Sequence, residues 1–319
     1  MKFSIITCTF NRLDKLMRNI ASVKHQQYNN YEHFIIDDGS NDGTQEYINT
    51  LKDKNINYIR FEKNLGQPHV MYNSDVLRKI NADLFFFLDS DDFLLPNALR
   101  IIVKDFEYYK KTNPWTIAYS VTENNDEKIS NDIEYKYIMH NSLDILSDFH
   151  PLNIHGTGFV DHLFVHNNKF LKNFITHFND PYKWYAIKID VSLKNKFKEI
   201  YTNRILLFMN FDRDSVTKGK NIEKYKPITL VSRKYIFDNY QNNMGDKYFK
   251  YTLNSLILNL LIDKKMKSNV FKYMNMGIKH KKINLKNYIF YIILFLFPAN
   301  FIFKIKKILK ISRQSRFAN

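Results

Sequence analysis

The stretch FFFLDSDDF, residues 85–93, runs four apolar residues straight into three acids. Phe85, Phe86, Phe87 and Leu88 do not alternate with polar residues, as a strand with one wet face would. They read as a strand buried on both sides, the pattern of a parallel sheet. Asp89, Asp91 and Asp92 then crowd negative charge at its carboxyl end, where they repel one another unless a cation or a partner offsets them. Two carboxylates at such an end can share a hard divalent ion, Mg²⁺ or Mn²⁺, which takes oxygen ligands and tolerates diphosphate. The same acids also suit a helix N-terminus, with Asp92 helping to cap a helix that has Pro96 in its first turn.

Outward from this stretch the pattern alternates. FSIITCTF (3–10), HFIIDD (33–38), INYIRF (56–61) and ADLFFFLDSDD (82–92) read as strands. LDKLMRNIASVKHQ (13–26), TQEYINTLKD (44–53), PHVMYNSDVLRKI (68–80) and PNALRIIVKDFEYYK (96–110) read as helices. Short connections between alternating elements imply an α/β fold, a parallel sheet with right-handed crossovers. From 121 to 150 the sequence is polar and weakly periodic. Helical spacing returns over 176–197, EIYTNRILLFMNF (199–211) reads as one more strand, and residues after 220 read as helices.

With 319 residues the chain can bury a full core, and one large domain with an appendage is the expectation. A single cysteine, Cys8, excludes an internal disulfide and a Cys-based zinc cluster. The opening MKFSIITCTF reads as a strand rather than a signal peptide, which implies a cytoplasmic location. The net charge of +16 is unevenly placed. Residues 264–319 hold 14 Lys/Arg and no Asp or Glu, so 34 basic and 32 acidic residues remain for the rest.

Parallel sheets place ligands beyond the carboxyl ends of their strands. Three polar clusters fall there: TFNR (9–12), DDGSNDGT (37–44) and DSDD (89–92). DDGSNDGT resembles the start of a calcium loop, but its twelfth position is Asn49 instead of the required Glu. It can be a turn cluster, with Gly39 and Gly43 at positive φ, and a carboxylate there can accept the imide N–H of a uracil ring. Neither G-x-G-x-x-G nor a P-loop is present.

SIITCTFNR, then FIIDDGSNDGT, then NLGQPHVMYNSDVLRKINADLFFFLDSDDFL closely resembles the family-2 glycosyltransferases over residues 1–110. The resemblance is weaker over 145–220 and gives nothing beyond. It implies a GT-A nucleotide-diphospho-sugar domain, a mostly parallel sheet with flanking helices, over 1–220, followed by a helical, basic C-terminal region over 221–319. It implies that Cys8, Thr9, Phe10 and Asn11 line a nucleoside pocket and that Asp38 faces the base; Arg12 reads equally as a neighbour of the phosphates and as a solvated arginine at a helix start. Asp89 is implied near the ribose and the metal, and Asp91 on the metal that carries the diphosphate. The implied activity is inverting transfer from a UDP-sugar, with Mn²⁺ or Mg²⁺, to a glycan or lipid-linked acceptor in bacterial surface polysaccharide synthesis.

The family's general base lies in an acidic pair ahead of an aromatic-rich helix. FNDPYKWYAIK matches it with Asn179 for the usual Glu, Asp180 kept, and Trp184 and Tyr185 as aromatics. Asp180 is the implied base and is also a natural cap for a helix containing Pro181. Where the family often has Tyr-Arg-x-His-x-x-Ser, this chain has MNFDRDSVT (209–217), with Asn210 and Asp212 at the Arg and His positions. Asp212 or Arg213 are the candidate substitutes; His155 and His162 could touch an acceptor sugar, but lone histidines are more often structural or surface groups.

The C-terminal stretch joins an apolar run (288–303), broken by Pro298, to a basic one. It falls short of the ~20 residues of a spanning helix and fits an interfacial segment over 283–319 that meets anionic headgroups on the inner membrane face. A buried terminal helix or a homo-oligomer interface are the other readings. A nucleotidyltransferase would want a glycine-rich triphosphate loop, which TCTFNRLDK lacks. A nucleic-acid binder would spread its charge along a groove with aromatics, so no nucleic-acid partner is expected.

Overall fold

The computed structural model describes residues 1–122, 137–141, 162–177, 184–210, 222–262, 267–281, 283, 285–297 and 301. They divide into two compact units, one over residues 1–142 and 161–221, the other including 222–319.

In the first unit the strands are β1 (Phe3–Thr9), β2 (Tyr31–Asp37), β3 (Ile56–Arg60), β4 (Leu84–Phe87), β5 (Phe93–Leu94), β6 (Thr116–Thr122), β7 (Tyr137–Asn141), β8 (His162–Asn167) and β9 (Lys198–Phe208). Its helices are α1 (Leu13–Lys24), α2 (Thr44–Leu51), α3 (Gln67–Met71), α4 (Ser74–Leu77), α5 (Ala98–Tyr108), α6 (Asn168–His177) and α7 (Trp184–Asn195). The strands form one sheet in the order β3-β2-β1-β4-β8-β6-β9-β5, with β7 on β9. From β3 to β4 every pairing is parallel. Beyond β4 the sheet is mixed: β8 is antiparallel to both β4 and β6, while β6 is parallel to β9.

All seven residues of β1 are buried. Their alternation divides the core across the sheet: Phe3 and Ile5 pack with Leu84 and Phe86, while Ile6 and Cys8 pack with Phe34, Ile36 and Phe85. The apolar stripe of α1, Leu16 and Ile20, closes on Ile35 and Ile48. Register then decides where the polar clusters go. Thr9 pairs with Asp37, and Ile6 with Phe87, so the ends of β1, β2 and β4 lie side by side.

Two helix expectations change. The span 68–80 is two short helices, because Asn73 Oδ1 accepts the N–H groups of Asp75 (3.0 Å) and Val76 (3.2 Å) and starts a new helix there. Pro96 precedes α5 instead of sitting in its first turn; Asn97, at φ 63°, is the N-cap, and Gln26 Oε1 accepts the Leu99 N–H at 3.2 Å.

The second unit is helical: α8 (Ile222–Tyr240), α9 (Asp246–Ile262), α10 (Val270–Lys279) and α11 (Leu285–Leu296). Phe237, Leu253, Leu256, Ile257, Tyr273 and Leu294 belong to its core. The buried Tyr273 donates its hydroxyl to Asp238, which also pairs with Lys234 and Lys272.

Candidate active site

Helix α1 holds the acidic loop in place. Asn19 stands in line with the buried Leu16, Ile20 and Val23 and is itself fully buried. Its Nδ2 donates to the carbonyls of both Asp89 and Asp92, each at 2.9 Å. One turn on, Ser22 Oγ accepts the Leu94 N–H, and Gln26 Nε2 donates to the Leu95 carbonyl. Helix α1 and the turn just past it thus fix the backbone from 89 to 99. Behind it, Thr7 Oγ1 lies 2.9 Å from His33 Nε2 and 3.4 Å from Asn19 Oδ1.

Within that loop Asp91 and Asp92 are buried and Asp89 is exposed. Arg12 Nη1 donates to Asp91 Oδ2 at 2.9 Å, which brings the TFNR corner onto the acids. Gln67 Nε2 reaches Asp89 Oδ1 at 3.2 Å. Asp92 Oδ1 accepts the Asn210 N–H at 3.0 Å, so its carboxylate faces the end of β9. Burial, and then the charges of Asp89 and Asp91, push the Asp92 carboxyl up to about 9. Desolvation followed by the charge of Asp91 pushes Asp89 up to about 6, against the opposing pull of Arg12 and the Gln67 hydrogen bond. Water reaches Asp89, and its rise is the smaller of the two.

Around the DDGS turn the carboxylates act as fasteners. Asp37, fully buried, accepts the Ser40 N–H (2.8 Å) and the Tyr58 hydroxyl (2.5 Å), with Arg60 Nε 3.7 Å away. Asp38 accepts the N–H groups of Leu65 at 2.7 Å and Gly66 at 2.8 Å, one on each oxygen. Gly39, at φ 81°, permits this approach, since a Cβ there would lie 3.0 Å from the Lys63 carbonyl carbon. Asp42 accepts the Leu13 N–H and so caps α1 from a neighbouring loop, while also binding Thr44. Burial works to raise its pKa, but the hydrogen bonds from Thr44 and Leu13 outweigh it and hold the carboxyl low.

The remaining candidates lie at or near the same strand ends. Asn11, at φ 49°, donates its N–H to Ser40 Oγ and accepts that of Asn41. Phe10 is 40 % exposed beside it. Thr9 is buried, and its Oγ1 has no partner among the described residues. Burial, Asp89 and Asp38 raise the Cys8 thiol well above its ordinary value, and burial, Asp89 and Cys8 do the same to the Tyr72 phenol. Asp180, Asp212, Arg213 and His155 lie outside the described residues, and His162 is placed only as the first residue of β8.

Asn19, Ser22, Gln26 and Asp42 are the functional supports missed in the sequence. Asn19 had a visible signal, a polar residue where the apolar stripe of α1 should continue.

Could these residues hold a divalent ion? Among them no group of three or more His, Cys, Asp or Glu side chains forms a ready-made cage. Mg²⁺ is usually held by one or two carboxylates together with substrate phosphates and water. Asp89 and Asp91 supply that number of hard oxygen ligands. The donor set fits.

Parallel strands ending in an acidic crevice, continued by a mixed half-sheet, define a GT-A type nucleotide-diphospho-sugar fold. Solved structures agree. TarS 1–349 of S. aureus in complex with UDP-GlcNAc superposes with a TM-score of 0.59 at 14 % identity, over 88 % of this chain and 81 % of that one. The mannosyltransferase PcManGT from Pyrobaculum calidifontis, in complex with GDP-Man and Mn2+, gives 0.51 at 11 % identity, over 98 % and 81 %. Residues 4–160 match the model of glycosyl transferase family 2. The chain is 41 % identical over 117 residues to the poly(ribitol-phosphate) beta-N-acetylglucosaminyltransferase TarP of Staphylococcus aureus, covering 35 % of this chain and 34 % of that protein. It therefore spans about a third of TarP's length. It is 25 % identical to the GalNAc(5)-diNAcBac-PP-undecaprenol beta-1,3-glucosyltransferase of Campylobacter jejuni over 96 % of this chain and 97 % of that one.

Proposed function

We propose that the protein is an inverting glycosyltransferase that moves a sugar from a UDP-sugar to a hydroxyl of a glycan or lipid-linked acceptor in bacterial surface polysaccharide synthesis. The observation that carries this reading is the joined cluster of Arg12, Asp89 and Asp91 at the adjoining ends of β1 and β4. The relatives support the substrate class: one has a name specifying an undecaprenol-linked glycan, another a polymer acceptor.

In this reading Thr9, Phe10 and Asn11 receive the nucleoside, and the unpartnered Thr9 hydroxyl gains a polar partner from it. Asp38 faces the base, and its bonds to Leu65 and Gly66 hold the turn in place. Arg12 steers the diphosphate and keeps Asp91 oriented. Asp89 and Asp91 would hold Mn²⁺ or Mg²⁺, which when bound offsets the charge developing on the leaving diphosphate. Asp180 takes the proton of the acceptor hydroxyl as that oxygen attacks the anomeric carbon. The proposed domain division is a catalytic domain over 1–220 and a C-terminal region over 221–319, with the protein peripheral on the inner membrane face.

The test is release of UDP from a panel of UDP-sugars with Mn²⁺ or Mg²⁺, with and without a polyprenyl-diphosphate-linked sugar acceptor. Acceptor-stimulated release that falls ~10²-fold in Asp180→Asn, with donor binding retained, is the expected result. No release from any UDP-sugar overturns the donor assignment. Full activity of Asp180→Asn removes it as the base.

A further inference from the structure

We propose that one face of α11 docks the protein on an anionic lipid bilayer. The inference gives the peripheral location proposed above a specific surface, and it stands independently of the donor and acceptor. Helix α11 is apolar on two sides. Tyr291 and Leu294 face inward and are buried, with the Tyr291 hydroxyl donating to Asn254 Oδ1 at 2.8 Å. The opposite stripe is solvent-facing: Ile289 is 48 % exposed, Ile293 47 % and Leu296 77 %. These positions follow the i, i+4, i+7 spacing of a single helix face. Phe297 and Phe301 extend it, stacked at 4.4 Å and both exposed. Phe271 of α10, also exposed, adjoins through Phe295 at 4.9 Å.

A contiguous apolar stripe of this kind marks an interaction site, and the charge around it names the occupant. Residues 264–319 hold 14 Lys/Arg and no acid. Lys304, Lys306, Lys307, Lys310, Arg313 and Arg316 follow the stripe directly in sequence. A second copy of this segment would bring an equal positive charge against it. An anionic headgroup layer offers the opposite sign and an acyl boundary that accepts the isoleucines. Twelve helical residues reach about 18 Å, well short of the ~30 Å hydrocarbon core. No helix among the described residues is long and apolar enough to cross a membrane. The helix is therefore placed along the interface.

The experiment uses the full chain and sedimentation with two vesicle types, phosphatidylcholine alone and phosphatidylcholine with phosphatidylglycerol. Wild type should pellet with the anionic vesicles, less so as salt rises, and stay largely in solution with the neutral ones. The double variant Ile289→Glu/Ile293→Glu should lose binding at least ~10-fold, with a nearly unchanged thermal midpoint because both side chains are outside the buried core. As a second reading that needs no disruptive change, Leu296→Trp should show a blue-shifted difference emission with anionic vesicles. Wild type that ignores anionic vesicles, a double variant that still binds, or an unshifted Trp signal each overturn the proposal. A wild-type dimer that the double variant converts to monomer without vesicle binding assigns the stripe to a second copy and overturns it too. UDP release without vesicles is measured alongside, so loss of the catalytic reading and loss of the docking reading are seen separately.

Discussion

The two units bury polarity in opposite ways. In the N-terminal half-sheet, β1, β2 and β4 are buried along most of their lengths, and the buried acids Asp37, Asp38, Asp91 and Asp92 collect at or just beyond strand ends. Each is met there by a fixed donor: Tyr58, the Leu65 and Gly66 amides, Arg12, or the Asn210 amide. The C-terminal helices bury mainly aliphatic and aromatic side chains, and α11 leaves apolar surface in water. Burying acids is costly, and clusters of them with perturbed titration are frequent where chemistry is done. Cheap apolar packing with an exposed stripe suits a surface that docks.

The sharpest way to break this contrast is Asp91→Asn. It removes the charge that pairs with Arg12 and, in the proposed mechanism, holds the ion. Sugar transfer should fall by ~10²–10³-fold, with the thermal midpoint nearly unchanged because the residue sits at a strand end. Near-normal turnover across a Mn²⁺ titration would remove Asp91 from the metal site.

A smaller effect is expected one layer back. Asn19→Ala leaves the Asp89 and Asp92 carbonyls without their shared donor, at a cost of ~1–3 kcal/mol in stability. As a positioning residue it should also lower kcat by ~10-fold and raise the Mn²⁺ concentration for half-activation. A lowered thermal midpoint with unchanged metal dependence would make Asn19 a structural group only.

This second layer shows where sequence legibility stopped. FFFLDSDDF and the clusters at 9–12 and 37–44 identify the parallel half-sheet because apolar runs that end in polar clusters are local signals. The Arg12–Asp91 pair spans 79 positions and depends on register, so it is invisible until β1 and β4 are aligned. The mixed half-sheet was harder to read for a similar reason. β6 is TIAYSVT and β8 is HLFVHN, short strands with hydroxyl or imidazole groups inside them. His166 of β8 is buried against Thr116, with its ring nitrogen 2.7 Å from the hydroxyl. Polar residues satisfied across the sheet erase the alternation a strand should show. The break at Asn73 is an Asx cap inside a helical period, where side-chain hydrogen bonding overrides apolar spacing.

Gly277→Val tests the other side of the contrast. A Cβ at Gly277 would lie 2.4 Å from Ile283 Cδ1, 2.5 Å from its Cγ1 and 2.8 Å from Leu253 Cδ2. Overpacking of this kind costs ~1–3 kcal/mol. Hydrogen exchange should quicken in α9 and α10 while UDP affinity is unchanged. Equal loosening of β1 and β2 would show that the two units do not hold their stability separately.

The smallest expected effect concerns His33, buried on β2 with Nε2 against Thr7. Burial lowers its pKa from 6.5 to about 3, only partly opposed by the charge of Asp53. The folded state therefore keeps the ring neutral, while the unfolded chain protonates it below about 6.5. Between those values the unfolded state binds the extra proton, so stability falls as pH drops through that window. The loss is roughly 1.4 kcal/mol by pH 5.5 and approaches ~1.4 kcal/mol per further pH unit. Asp92, held protonated in the fold, works in the opposite sense as pH rises, so the informative quantity is a difference between proteins. His33→Gln keeps a hydrogen-bonding group near Thr7 but cannot take the proton. Urea unfolding at pH 7.5 and 5.5 should show a wild-type loss that the variant lacks by about 1 kcal/mol. An identical loss in both would place the acid sensitivity elsewhere and leave the Thr7–Asn19 support behind the acidic loop indifferent to His33.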